Sequence, residues 1–266
     1  MSATTIETFT VRHDGVVLPV SRGGRRGPGP GVVFCPGLGT TQEDLGELIG
    51  LLRRDHEVVG FDLRGHGAAS AAERYTFDAF LGDFGAVMAA VGLPEPPVLV
   101  GHSLGADVVL HHAAAAGPGA VAGLVLVDGA NPLPEPFLTG DDLEEFRALA
   151  EAAAGGDETG RGPTARQILD LNLEMDEVRS TILDAYRTVE APVTVVMSTS
   201  IAGAAAGVIA EERMDRHNRL WRSGAERLLR ERPGIAAHWL DADHRLVLTH
   251  APDIARIVRG ATLAAC

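Results

Sequence analysis

The sequence predicts an α/β domain built on a doubly wound, mostly parallel sheet of about eight strands, with one helical insertion. Three observations predict it. Short apolar runs alternate with longer amphipathic stretches along most of the chain. The alternation stops between residues 131 and 190 and then resumes. A Gly-x-Ser-x-Gly sequence, Gly101-His102-Ser103-Leu104-Gly105, joins an apolar run directly to a helical pattern.

Residues 7–12 and 16–20 read as a hairpin turned at Asp14-Gly15, and residues 23–31 as a Gly/Arg/Pro loop. The apolar run at 31–35 has the character of a strand covered on both faces. Residues 44–54 are helical, with Leu45, Leu48, Ile49 and Leu52 on one side. Residues 57–61 form the next strand. A helix at 76–91 follows, carrying Phe77, Phe80, Leu81, Phe84 and Met88 in one stripe. The strand at 97–100 runs into Ser103. The helix at 104–116 stops at Gly117, a residue that readily ends helices. Residues 122–127 are another buried strand.

The insertion opens with Pro132, Pro134 and Pro136 and offers three helical patterns, at 141–154, 164–174 and 176–189. A Gly-rich loop at 155–162 separates the first two. This division predicts a core from residues 1–130 and 191–266, with residues 131–190 as a helical lid. Beyond it come a strand at 192–197, a helix near 209–230, a strand at 236–240 and a helix at 252–263 carrying Ile254, Ile257 and Val258. Such a sheet places a ligand crevice at the carboxyl ends of its strands.

Composition narrows the functional classes. A chain of 266 residues with 45% hydrophobic residues can bury a large core. The net charge is −13, which disfavours nucleic acid because its phosphates would be repelled. All 23 basic residues are Arg, and with 32 Gly this implies a GC-rich, bacterial coding sequence. The two cysteines, Cys35 and Cys266, do not suggest a disulfide framework, so a cytoplasmic setting is expected. Residues 1–10 show neither the basic nor the apolar region of a signal peptide. Residues 191–210 carry no charge, but Pro192, Ser/Thr and small residues there read as a buried strand and loop, not a membrane span.

The chemistry centres on Ser103. A serine in a sharp turn between strand and helix is forced into a strained backbone that projects its hydroxyl above the sheet edge. Gly101 and Gly105 let the two elements approach. The helix N-terminus adds partial positive charge where an oxyanion would form.

The chain resembles the α/β-hydrolase superfamily over nearly its whole length. Cys35-Pro36-Gly37-Leu38-Gly39 looks like the His-Gly loop after the third strand. Gly60-Phe61-Asp62-Leu63-Arg64-Gly65-His66-Gly67 looks like the Asp-x-Arg-Gly-x-Gly turn after the fourth, with Asp62 and Arg64 in structural roles. The Ser103 turn looks like the nucleophile elbow. The resemblance implies an oxyanion hole from the backbone N–H groups of Leu38 and Leu104, with Gly37 and His102 lining the substrate site. Pro36 stands where the family usually has His.

His244 follows the last strand, where family histidines sit, and an imidazole with an ordinary pKa near 6.5 suits proton transfer. Many relatives place the triad acid after the strand equivalent to 192–197. Here that place holds Ser198-Thr199-Ser200. Asp128, ending the strand at 122–127, is the leading candidate. Glu211, Glu212 and Asp215 are alternatives, as is a dyad without an acid. The implied activity is hydrolysis of a carboxylic ester, lactone or thioester on a small-molecule acyl substrate, with no cofactor or metal and no membrane or nucleic-acid partner. Lyases, cyclases, perhydrolases and weakly catalytic receptors share this fold and stand as alternatives.

Overall fold

A computed structural model describes residues 5–27, 29–156, 160–205 and 207–265. Its eight strands are β1 (Glu7–His13), β2 (Val16–Gly24), β3 (Val32–Cys35), β4 (Glu57–Phe61), β5 (Val98–His102), β6 (Gly123–Val127), β7 (Val193–Ser200) and β8 (Ala236–Asp243). They form one sheet in the order β1-β2-β4-β3-β5-β6-β7-β8. The pairs β1–β2 and β2–β4 are antiparallel, and the remaining pairs are parallel. The hairpin turn is made at Asp14 and Gly15, both at positive φ, as a tight Asp-Gly turn requires.

The helices are α1 (Gly46–Arg53), α2 (Phe77–Val91), α3 (Leu104–Ala116), α4 (Leu143–Gly155), α5 (Ala165–Ser180), α6 (Ile182–Thr188), α7 (Glu211–Glu231), α8 (Leu246–Thr249) and α9 (Ala251–Ala264). The central strands are buried throughout and alternate between two apolar layers. Val32, Phe34, Val98, Val100, Val125 and Val127 pack with residues of α1 and α9. Val33, Cys35, Leu99, Leu124 and Leu126 pack with residues of α2, α3, α5, α6 and α7. This period-2 division explains why the strand sequences read as continuous apolar runs.

Several predicted boundaries move. The helix expected at 164–174 continues to Ser180, because Leu171, Met175 and Val178 extend one apolar stripe past the expected break at 175. The third insert helix is therefore shorter, Ile182–Thr188. β7 reaches Ser200 and β8 reaches Asp243, and the short α8 between β8 and α9 carries no periodic signal of its own. Of the Gly-rich loop at 155–162, residues 157–159 lie outside the described residues, as does Cys266. Cys35 is buried and unpaired, and burial pushes its thiol pKa up. Among the described residues, no helix is long and apolar enough to cross a membrane.

The turn after β4 is structural, as expected. Asp62 accepts the N–H groups of Gln42 and Ala68 at 2.8 and 3.1 Å. Arg64, 1% exposed, meets Asp83 on α2, 0% exposed, through two hydrogen bonds of 2.7 and 2.8 Å. Removing one member of such a pair leaves the other charge buried and uncompensated. Asp83→Ala should therefore lower the unfolding free energy by about 3–5 kcal/mol in equilibrium denaturation. A loss under about 1 kcal/mol would place Arg64 in contact with water.

Candidate active site

β5, β6, β7 and β8 run parallel in adjacent positions, so their carboxyl ends assemble the site. Ser103 follows β5 directly, with φ 52° and ψ −124°, a conformation that L-residues rarely adopt. Backbone contact enforces it. A Cβ on Gly101 would lie 2.3 Å from Gly105 O, and a Cβ on Gly105 would lie 2.2 Å from Cys35 O. Ser103 N–H donates to Val127 O at 2.9 Å, fixing the turn against β6.

Asp128 comes next. Its N–H donates to Val196 O at 2.8 Å, which continues the β6–β7 ladder by one residue. It sits at φ 47° and Ala130 at φ 53°. Between them Gly129 presses on the Ser103 backbone: a Cβ there would lie 2.3 Å from Ser103 O.

The sequence-predicted residues meet here. Ser103 Oγ donates to His244 Nε2 at 2.9 Å, and His244 Nδ1 donates to Asp128 Oδ2 at 3.0 Å. When the ring is neutral, these two bonds select the tautomer protonated at Nδ1. Ser103 is half-buried, the His244 side chain is 30% exposed and Asp128 is 0% exposed. Glu211, Glu212 and Asp215 lie exposed on α7, and the His244 ring bonds to Asp128 instead.

The place left without an acid after the β7 core is explained by Ser198. Its N–H donates to Asp128 Oδ1 at 2.8 Å and its hydroxyl to Asp128 Oδ2 at 2.6 Å. Trp221 Nε1 on α7 donates to Oδ1 at 3.1 Å. Burial opposes the charge on Asp128, but the hydrogen bonds and charge of His244 and the bonds from Ser198 outweigh it and hold its pKa below the ordinary 3.8. Sequence reasoning did not single out Ser198 or Trp221 as partners of the acid. A hydroxyl where relatives carry a carboxylate was the available signal for the first; nothing marked the second.

The loop after β3 abuts Ser103. A Cβ on Gly37 would lie 3.0 Å from Ser103 Cβ and 2.8 Å from His102 Nδ1. Leu38 is partly exposed beside it. His66 holds this loop: its Nδ1 donates to Arg64 O at 2.8 Å and its Nε2 accepts Gly39 N–H at 2.9 Å. His102 was expected to line the substrate site. It is instead 4% exposed, because it ends a central strand with its side chain under the 36–39 loop, and its Nε2 donates to His244 O at 3.0 Å. Burial, with the charge of His244 second, pushes its pKa down to about 3. Among the described residues, no cluster of His, Cys, Asp and Glu could hold a metal ion.

Comparison with known proteins agrees with this architecture. The family model described as alpha/beta hydrolase fold matches residues 30–167, more than half of the chain. The chain belongs to the α/β-hydrolase fold family. A non-heme haloperoxidase from Rhodococcus erythropolis is 35% identical over 131 residues, covering 47% of this chain and 47% of that protein. The match thus spans about half the length of the curated relative. Among solved structures, a carboxylesterase of the ammonia-oxidizing thaumarchaeon Nitrososphaera gargenis superposes with TM-score 0.73 at 15% identity, covering 97% of this chain and 98% of that one. A loop variant of haloalkane dehalogenase from Bradyrhizobium elkanii gives 0.72 at 16% identity, covering 99% and 97%. The thioesterase domain of the curacin biosynthetic pathway gives 0.62 at 17% identity, covering 96% and 99%. At these identities the likeness is one of fold.

The depressed pKa of Asp128 has a testable sign. A carboxyl whose folded pKa lies below 3.8 adds stability that is fully present above that value and fades as pH falls through the folded pKa. Denaturant unfolding of the wild type and Asp128→Asn should therefore differ most above pH 3.8 and converge below it. A difference that stays constant through the acid range would contradict an ionised Asp128.

Proposed function

We propose that the chain is a serine hydrolase that cleaves a carboxylic ester, lactone or thioester through an acyl-enzyme on Ser103. The observation that carries this reading is the continuous chain Ser103 Oγ–His244 Nε2, 2.9 Å, and His244 Nδ1–Asp128 Oδ2, 3.0 Å.

In this reading, His244 removes the Ser103 proton as Oγ attacks the carbonyl carbon. Ionised Asp128 stabilises the imidazolium that forms and keeps the ring oriented. The backbone N–H of Leu104 receives the oxyanion. As the first helical residue of α3, its N–H has no partner in the helix ladder. Leu38 N–H is the second donor, on the loop that Gly37 brings against Ser103. His244 then protonates the leaving group, and water that it activates releases the acid. Dehalogenases and epoxide hydrolases of this superfamily need Asp at the elbow, and Ser103 stands there instead.

Residues 131–190 act as the lid, and their apolar side chains set the acyl specificity. They are anchored close to the site: Arg179 on α5 pairs with Asp107 on α3 at 2.8 and 3.1 Å, and Tyr186 on α6 donates to Ala130 O at 2.8 Å.

The relative named as a haloperoxidase favours one second reading. Hydrogen peroxide in place of water would attack the same acyl-enzyme and release a peracid, with the proton again passing through His244.

A fluorophosphonate probe followed by peptide mapping tests the nucleophile. Labelling should fall on Ser103 and vanish in His244→Ala. A wild type that takes no label would instead mark a binding protein. Asp128→Asn should lower kcat for a p-nitrophenyl ester by about three to four orders of magnitude. A loss under about tenfold would remove Asp128 from the triad. Esters of rising chain length separate acyl preferences, and peroxide-dependent halogenation in the presence of a short carboxylic acid separates perhydrolysis from hydrolysis.

A further inference from the structure

We propose that His102 is a positioning residue that ties the base to the nucleophile strand, holding His244 through its main chain while its other edge supports the oxyanion loop. This inference rests on the serine-hydrolase reading above and names a part of that machinery.

The problem it solves is topological. Ser103 comes from β5 in the middle of the sheet, whereas His244 follows β8, the edge strand three places away. β8 is largely half-exposed or exposed. The hydrogen bonds from Arg245 N–H and guanidinium to Asp243 are local to the turn and exposed. A general base on such a segment needs a fixed point belonging to the nucleophile's own element.

His102 provides one. It is the last residue of β5 and is 4% exposed. Its Nε2 donates to His244 O at 3.0 Å, and the two rings lie 5.0 Å apart at 36°. The opposite nitrogen, Nδ1, is buried with no hydrogen-bond partner and faces Gly37, where a Cβ would lie 2.8 Å away. The ring therefore spans from the base's carbonyl on one side to the 36–39 loop on the other. A donor at the far end of a flat side chain is what this span requires. An apolar ring would fill the volume and leave the His244 carbonyl unbonded.

Neutrality matters as well. His244 must carry a proton during acylation, and a second imidazolium beside it would oppose that charge. The charged groups that bear on His102 are His244 and Asp128, and burial dominates both in keeping the ring neutral.

The test compares His102→Phe, His102→Asn and His102→Gln. The Phe variant keeps the ring volume without the donor. The Asn amide is too short to reach, and the Gln amide reaches as far as Nε2. The readouts are the rate constant for inactivation by a fluorophosphonate and kcat and KM for a p-nitrophenyl ester. Phe and Asn should each lower kcat and the inactivation rate by about ten- to a hundredfold, the scale expected when a catalytic group is displaced by an ångström. KM should stay within about twofold, because His102 is buried and bonds the base's main chain. Gln should recover most of the loss. A Phe variant within twofold of wild type in kcat would overturn the proposal. If Phe does not fold, the Gln–Asn pair decides, and Gln no faster than Asn would overturn it equally. A wild type inert to the probe would overturn the hydrolase reading itself, a result distinguishable from either.

Discussion

A carboxylate taken wholly out of water must have its lone pairs filled, and the carboxyl end of this sheet is organised around meeting that requirement for Asp128. Four donors converge on it from three parts of the chain: the N–H and hydroxyl of Ser198 on β7, the indole of Trp221 on α7, and the ring of His244 beyond β8. Lose one and the burial penalty is no longer offset, since an isolated buried charge costs far more than a neutral group. The register of β6, β7 and β8 is thus fixed functionally as well as by apolar packing. A slip of one residue would turn Ser198 to the other face and remove its hydroxyl from the carboxylate.

The strained backbone lies in the same few residues. Ser103, Asp128 and Ala130 all hold positive φ without being glycine, and each such residue costs about 1–3 kcal/mol. The surroundings over-determine them. Gly129 packs on Ser103 O, Gly105 on the β3 carbonyls, and Tyr186 donates to Ala130 O. Strain persists at these positions because relaxing one would push backbone into backbone at another. A hydroxyl held in this way needs no reorganisation to serve the chemistry proposed for Ser103.

How far the sequence could be read follows from which interactions are local. The elbow was legible because strand, turn and helix are contiguous and the glycines mark close approach. His244 was legible from its place after the last strand. Asp128 was one candidate among several, since nothing in a linear sequence says that β6 and β8 end beside each other with β7 between them. Ser198 looked like a missing acid when it is a donor to an acid placed one strand earlier. Trp221 and the inward turn of His102 depend on contacts 93 and 142 residues apart in sequence, which periodicity does not encode. The merged boundary at 175 has a simpler cause: the apolar stripe of α5 runs on through acidic residues that read as a new helix start.

The insert between β6 and β7 is held to the core on two sides, each through a buried carboxylate. On one side Arg179 meets Asp107, a residue 0% exposed in the helix that follows Ser103. Pulling α5 away would strand that carboxylate in an apolar layer, at a cost of several kcal/mol. On the other side α4 is joined to α7 by Glu145 and Arg213, 18% and 37% exposed, a solvent-screened pair that adds little by itself. The buried Asp142 at the start of α4 takes two bonds from Thr139 and also meets Arg216 at 3.2 Å and His217 at 3.4 Å on α7, so a buried carboxylate ties this side to the core as well. Each side of the insert is thus closed by a carboxylate taken out of water, Asp107 facing α5 and Asp142 facing α7, and neither side separates without stranding one of them.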